Sequence, residues 1–158
     1  MTAIVNRRRE AHPLTSGPGF WMRLGHKTIS RPLADELKKR GIAFKHYFYL
    51  RTLFEEDGIS QVELSERVGM ERATVTSVLD TLETLGVVVR EAHPSDRRKT
   101  NVFLTLKGRR MRGDLLEAVN IANRIALKGI SAADFEQCRR TIATMIANVE
   151  EYEAKNEE

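Results

Sequence analysis

The sequence predicts a mainly α-helical protein carrying one small β-hairpin. Three observations predict it. Apolar residues recur at helical spacing through most of the chain between Phe20 and Ala154. Two runs, "VVVRE" and "NVFLTL", are instead β-branched and alternating, and they flank the polar stretch "HPSDRRKT". Glycines and capping residues at Gly41, Asp57-Gly58, Ser60, Gly69, Gly86, Gly129 and Ser131 punctuate the pattern where helices must begin or end.

The elements follow in order. Residues 1–19 are polar, contain Pro13, Gly17, Pro18 and Gly19, and read as a flexible arm. Phe20, Leu24, Ile29, Leu33 and Leu37 lie about a turn apart and predict a helix to Lys39, with a kink or break near Arg31 because of Pro32. "AFKHYFYLRTLFEE", 43–56, is apolar and aromatic around much of its surface and predicts a largely buried helix. "SQVELSERV" is a short helix capped by Ser60, with Glu63 completing a capping box. "ERATVTSVLDTLETLG" follows after Gly69, with Val75, Val78, Leu79, Leu82 and Leu85 as its apolar stripe and Gly86 as its stop. The hairpin comes next, then two helices at about 106–128 and 132–154.

The 158 residues suit one domain, or one domain with a helical extension. Composition is that of a soluble globular protein, 41% hydrophobic and 30% charged. No apolar run is long enough for a membrane span, and no apolar segment follows the N-terminal arginines, so neither a membrane anchor nor a secretory signal is expected. The single cysteine, Cys138, fits a reducing cytoplasm. Net charge is +4, unevenly placed. Between Gly86 and Gly113, Arg90, Arg97, Arg98, Lys99, Lys107, Arg109, Arg110 and Arg112 stand against only Glu91 and Asp96. Such a local excess points to a polyanion, although a solvated basic helix face gives the same count, and charge alone leaves both open.

Two helices joined through Gly69 at this spacing make a helix-turn-helix, whose second helix enters the major groove. Its apolar stripe leaves Ala73, Thr76, Ser77, Asp80, Thr81 and Thr84 on the other face, with Arg72 and Thr74 near its start. Hydroxyls there can bond phosphates or base edges, and threonine methyls can touch thymine methyls. A plain helical hairpin would show the same pattern. The basic-tipped hairpin decides between them: a helix-turn-helix followed directly by such a hairpin is a winged helix, and arginines at its tip are drawn into the minor groove. Asp96 then organises the tip, holding an arginine or the turn backbone. Arg97, Arg98 and Lys99 are the expected wing contacts, with Arg98 principal.

At this point the chain resembles a known family. Residues from about 42 to 108, in "SQVELSERVGMERATVTSVLDTLETLGVVVRE" and "PSDRRKTNVFLTLKG", are similar to the MarR (multiple antibiotic resistance regulator) winged-helix transcription factors. The second stretch carries that family's wing signature, Asp-x-Arg, followed by Leu104-Thr105 and Gly108. The resemblance implies a winged helix-turn-helix over 43–105 and a helical dimerisation region formed by 20–42 and 106–154. It also implies a cytoplasmic homodimer on a palindromic operator in double-stranded DNA, often a repressor released by a small-molecule effector. Ser77 and Thr81 stand where members commonly carry arginines, so this helix is expected to read bases through Thr74, Thr76 and Ser77, or through DNA shape.

Effectors of that family sit between the dimerisation helices and the winged domain. Here Trp21, His26, His46, Tyr47 and Tyr49 offer aromatic surface with polar tips, and Arg23 or Arg51 could meet an acid, a composition suited to an aromatic carboxylate or its thioester. Aromatics on a buried helix are more commonly core. Leu115, Leu116, Val119, Ile125, Ile142, Met145, Ile146 and Val149 exceed what a small winged domain can cover and predict an interface. The histidines show no metal-ligand spacing, nothing resembles a nucleophile with its base, and neither enzyme activity nor a cofactor is expected. Two alternatives remain: a winged-helix module that binds protein, against which the basic tip argues, and a redox sensor using Cys138, with Arg139 and Arg140 lowering its thiol pKa.

Overall fold

The computed structural model describes residues 16–96 and 98–156. Of the flexible arm read over 1–19, residues 1–15 lie outside the described residues, as does Arg97. Pro18 and Gly19 are already helical, because proline suits the first turn of a helix. Helix α1 (Pro18–Lys39) starts with Pro18 in its first turn, where a missing N–H costs nothing, and ends in the basic pair Lys38 and Lys39. Pro32 lies inside this helix without ending it, so of the kink or break expected from sequence the break does not occur. Leu37 is fully buried and Leu33 packs on the core, so tertiary contacts just after the proline hold the helical path that it disfavours.

Helix α2 (Phe44–Glu55) is the central element and buries His46, Tyr49, Leu50, Thr52 and Leu53. The Thr52 hydroxyl donates to the Phe48 carbonyl at 3.0 Å, which satisfies it inside the core. Helix α3 (Gln61–Val68) is capped by Ser60, whose hydroxyl accepts the Glu63 N–H at 3.2 Å. It ends at Gly69, in the left-handed conformation at φ 65° that favours glycine. Helix α4 (Arg72–Thr84) turns Val75, Val78, Leu79 and Leu82 inward.

Strands β1 (Val88–Ala92) and β2 (Thr100–Leu104) pair antiparallel, with Val88 opposite Leu104 and Ala92 opposite Thr100. A short third stretch joins β2: Gly58 donates to the Val102 carbonyl at 3.0 Å and Val102 to the Ile59 carbonyl at 2.9 Å. Sequence gave no sign of this pairing. Asp57, just before it, accepts the Leu104 N–H and the Arg109 guanidinium, each at 2.8 Å, and so fastens the hairpin base to the α2–α3 turn. Residues 106–126 form two helices rather than one, α5 (Leu106–Arg110) and α6 (Arg112–Ala126), meeting at Met111. Helix α7 (Ala132–Asn156) begins at Ser131, which accepts the Asp134 N–H.

Residues up to Ala122 make one compact unit and those from Asn123 a second. The core of the first runs from Leu37 through α2 and α4 to Leu115 and Ala118, so Leu115 belongs to it rather than to an interface. No helix among the described residues is long and apolar enough to cross a membrane.

Two glycines in this region have opposite tasks. A side chain on Gly108 would bring its Cβ to 2.2 Å from the Val87 carbonyl oxygen, whereas one on Gly113 meets nothing within 4 Å. Gly108→Ala should therefore lose about 1–3 kcal/mol to overpacking, and Gly113→Ala should gain about 0.5–1 kcal/mol of helix stability. Urea unfolding of both variants checks this; equal midpoints would contradict the close approach at Gly108.

His46 is 6% exposed, and its Nε2 has no hydrogen-bond partner among the described residues. Burial, and secondarily the nearby Lys45, hold its pKa below the ordinary 6.5. The unfolded chain then takes up a proton that the folded chain refuses, so stability is full above about pH 6.5 and declines as pH falls below it. Carboxylates such as Glu36, held low by Lys39 and Arg40, add losses only below their ordinary value near 4.5. Thermal unfolding should show the first decline in the parent and a flatter profile in His46→Leu; a parent profile flat from pH 7 to about 5 would refute the assignment.

Candidate nucleic-acid interface

The outer face of α4 is short-chained. Ala73, Thr74, Ser77, Asp80 and Thr84 are exposed, and Thr76 and Thr81 are half-buried at its edges. Arg72 is exposed in the first turn. Helical spacing sets this arrangement, since Val75, Val78, Leu79 and Leu82 occupy the opposite side. A backbone with only small side chains on its outward face can approach the floor of a groove closely.

Several of the hydroxyls on this face are engaged. Thr76 donates to the Arg72 carbonyl at 2.9 Å and accepts Gln61 Nε2 at 2.7 Å. Thr81 donates to the Ser77 carbonyl at 3.1 Å, and Thr84 to the Asp80 carbonyl at 2.8 Å. Gln61 lies at the first position of α3, so its bond to Thr76 spans the helix-turn-helix.

The hairpin is tied to the same face. Arg90, on β1, donates its backbone N–H to Glu83 at 3.1 Å and its guanidinium to Glu83 at 2.6 and 3.0 Å, then reaches Asp80 at 2.7 Å. The hydrogen bond from the Arg90 side chain, then that from its backbone, keeps the Glu83 carboxyl below the usual carboxylate range. Sequence reasoning counted Arg90 only as charge. Its position two residues after the buried Val88, on the same face of the strand, carried the signal, because that register turns it toward α4, where a guanidinium needs an acid.

At the hairpin tip Asp96 is an organiser, in the form the sequence suggested. One carboxylate oxygen accepts the Arg98 backbone N–H at 3.1 Å and Arg98 Nε at 3.2 Å, while its carbonyl accepts the Lys99 N–H at 2.9 Å. The bond from the Arg98 side chain is the largest cause of the lowered Asp96 pKa, followed by its backbone N–H. The Arg98 side chain remains 91% exposed. His93 donates to the Lys99 carbonyl at 3.0 Å and closes the loop. Between this loop and the α2–α3 turn lies a polar cavity of about 230 Å³, with Glu56, Ser60 and Glu63 on one side and His93, Lys99 and Asn101 on the other. Lys99 thus lies at the cavity edge as well as at the tip.

The candidate effector residues divide into two sets. Trp21, Arg23 and His26 are exposed on the first half of α1. His46 and Tyr49 are core residues of α2, and Tyr47 is half-buried, stacked against Phe44. Arg51 is exposed and lies over the Phe48 ring at 6.0 Å. Cys138 is exposed on α7. The arginines expected to act on its thiol point elsewhere, Arg139 to Glu136 at 2.7 Å and Arg140 to Gln137 at 3.0 Å.

Comparison with known proteins agrees with this geometry. A model of the MarR family matches residues 45–100, which span α2 through the hairpin tip. A probable transcriptional regulator from Pseudomonas aeruginosa is similar at 27% identity and a TM-score of 0.75, covering 84% of this chain and 98% of that one. The transcriptional repressor CouR bound to a 23-mer DNA duplex is similar at 22% identity and a TM-score of 0.74, over 88% of this chain and 98% of the other. CouR from Rhodococcus jostii RHA1 bound to p-coumaroyl-CoA gives 24% identity and a TM-score of 0.72, over 84% and 93%. At these identities the two CouR structures speak to the fold alone. The matched proteins are described as transcriptional regulators, and the part of this chain from α2 through the hairpin tip is similar to the MarR family of winged-helix proteins.

Proposed function

We propose that the chain is a homodimeric, sequence-specific DNA-binding regulator, a repressor that a small-molecule effector releases. The observation that carries DNA binding is the joining of a short-chained recognition face to a basic wing through Arg90, with the tip arginine held outward by Asp96. In this reading Arg72, Thr74, Thr76, Ser77 and Thr81 meet the major groove. Arg98 serves the minor groove, and Arg97 and Lys99 the phosphates.

Dimerisation rests on α7. This helix has 25 residues and buries none of them. Phe135, Ile142, Met145, Val149 and Tyr152 recur on it at steps of seven, three, four and three, and Phe135, Val149 and Tyr152 are 47%, 55% and 69% exposed. A stripe of that length needs a cover, and a second copy supplies one with matching symmetry, as a palindromic operator requires. The domain division that follows is a DNA-binding domain over 43–105 and a dimerisation region over 20–42 and 106–154. Trp21, Met22 and Ile29 on α1 are also exposed.

An effector in contact with Trp21, Arg23, His26, His46, Tyr47, Tyr49 or Arg51 would be an aromatic acid or its thioester. CouR, which shares the fold, binds p-coumaroyl-CoA, the thioester of such an acid. A thermal-shift screen of aromatic acids and their coenzyme A esters tests this class, with raised melting and weakened DNA binding as the expected pair of results.

Truncation after Lys128 removes α7 and should leave a monomeric or insoluble chain. Size-exclusion chromatography with light scattering measures this, and a soluble dimeric truncation that still bound operator would defeat the dimer assignment.

At the wing, Lys99→Ala should lower the slope of log affinity against log salt by roughly one unit, as for one phosphate contact. Arg98→Ala should weaken binding more, since it removes a cation from the most negative region of the groove. Asp96→Ala should also weaken binding, although deleting an acid beside DNA ought to help. Fluorescence anisotropy with a labelled duplex ranks the three, and an Asp96→Ala protein that bound as tightly as the parent would leave the tip a loose basic loop.

A further inference from the structure

We infer that the recognition helix selects thymine, and that it does so through methyl groups held outward by a hydrogen-bond lock on Thr76. The inference rests on the DNA-binding reading and specifies what that surface reads. A guanine is read by paired donors aimed at O6 and N7, as arginine or lysine provides, and an adenine by a side-chain amide. Beyond Arg72 the outer face of α4 carries no cation and no amide, only Ala73, Thr74, Thr76, Ser77, Asp80, Thr81 and Thr84. Its one charged group, Asp80, is engaged by Arg90.

The hydroxyls narrow the choice further. A threonine hydroxyl has one proton, and Thr76 spends it on the Arg72 carbonyl while Gln61 occupies one of its acceptor lone pairs. Thr81 and Thr84 spend their protons in the same way on Ser77 and Asp80. With Oγ1 turned back to the carbonyl four residues earlier, the staggered geometry at Cβ sends the Cγ2 methyl to a different well, away from that carbonyl. What Thr76 offers a ligand is therefore chiefly a methyl group. Ala73, three residues before it on the same face, offers nothing else. This pair lies in the N-terminal half of α4, the part of a recognition helix that reaches base edges. In the major groove one base alone presents an apolar group, the C5-methyl of thymine. Gln61 is a positioning residue here: from the first turn of α3 it fixes the Thr76 rotamer without touching DNA.

The test uses the full chain and a duplex enriched from a random pool. Each thymine of a half-site is replaced in turn by deoxyuridine, which keeps every hydrogen-bonding atom and removes only the methyl. Affinity should fall about fourfold at one or two positions per half-site, the worth of one buried methyl. Thr76→Ser, which keeps the hydroxyl and both its bonds, should abolish the thymine–uracil difference at one of them. Thr76→Val, which keeps methyl groups and loses the hydroxyl, should preserve it. Uracil duplexes bound as tightly as the parent site at every position would overturn the inference, as would a Thr76→Ser protein with full discrimination throughout. Failure to enrich any sequence from the pool would instead overturn the regulator reading on which it rests.

Discussion

Arg90 is the interaction on which the DNA-binding surface depends. A helix-turn-helix and a hairpin are separate local structures, and neither fixes the angle of the other. Arg90 fixes it by placing one guanidinium between a strand and two acids one turn apart on α4, with its own backbone N–H adding a further bond. An exposed ion pair contributes at most about 1 kcal/mol, because side-chain entropy and solvent screening offset most of the attraction. The bonds to Glu83 gain from being forked and partly sheltered, the Arg90 side chain being 23% exposed. Their main effect is on geometry: the wing cannot swing without breaking several directional bonds together.

The same device recurs along the basic stretch. Asp57 holds Arg109, Asp80 and Glu83 hold Arg90, and Asp96 holds Arg98. Each acid lies where a polyanion would be expected to repel it, and each is bonded to an arginine and, for Asp57, Glu83 and Asp96, also to a backbone N–H. Net charge is therefore a poor guide to how this face meets DNA. The acids shape the surface, and the arginines they hold still present outward donors, Arg98 most of all.

The helices and hairpin were legible in the sequence because each is specified by contacts within a few residues: an apolar repeat, a cap such as Ser60, a left-handed glycine such as Gly69. Asp96 was legible for the same reason, since its partner is two residues away. The features that sequence missed join distant residues. Asp57 bonds Leu104 across 47 positions, Gln61 bonds Thr76 across 15, and Ile59 pairs with Val102. A break at Pro32 was left open because its local cost was visible and the packing of Leu33 and Leu37 that offsets it was not. Leu115 was assigned to an interface because periodicity shows that a face is apolar without showing what lies against it.

A recognition face with no cation beyond Arg72 divides the work of binding. Attraction to the phosphates has to come from the wing and the basic stretch beyond it, and that attraction is nearly indifferent to sequence. Discrimination falls to short side chains, each worth little. Two methyl contacts per half-site at about fourfold each, doubled by a symmetric dimer, give about 250-fold. Specific binding generally exceeds non-specific binding by at least about a thousandfold, so methyl contacts alone fall short. The remainder has to come from DNA shape, which an arginine in a narrow minor groove reads without touching a base edge. On the proposed reading that requirement falls on Arg98, and the tip built around Asp96 suits it: a cation that senses groove width has to be held at a set height, and a carboxylate bonded to both its backbone and its side chain does so.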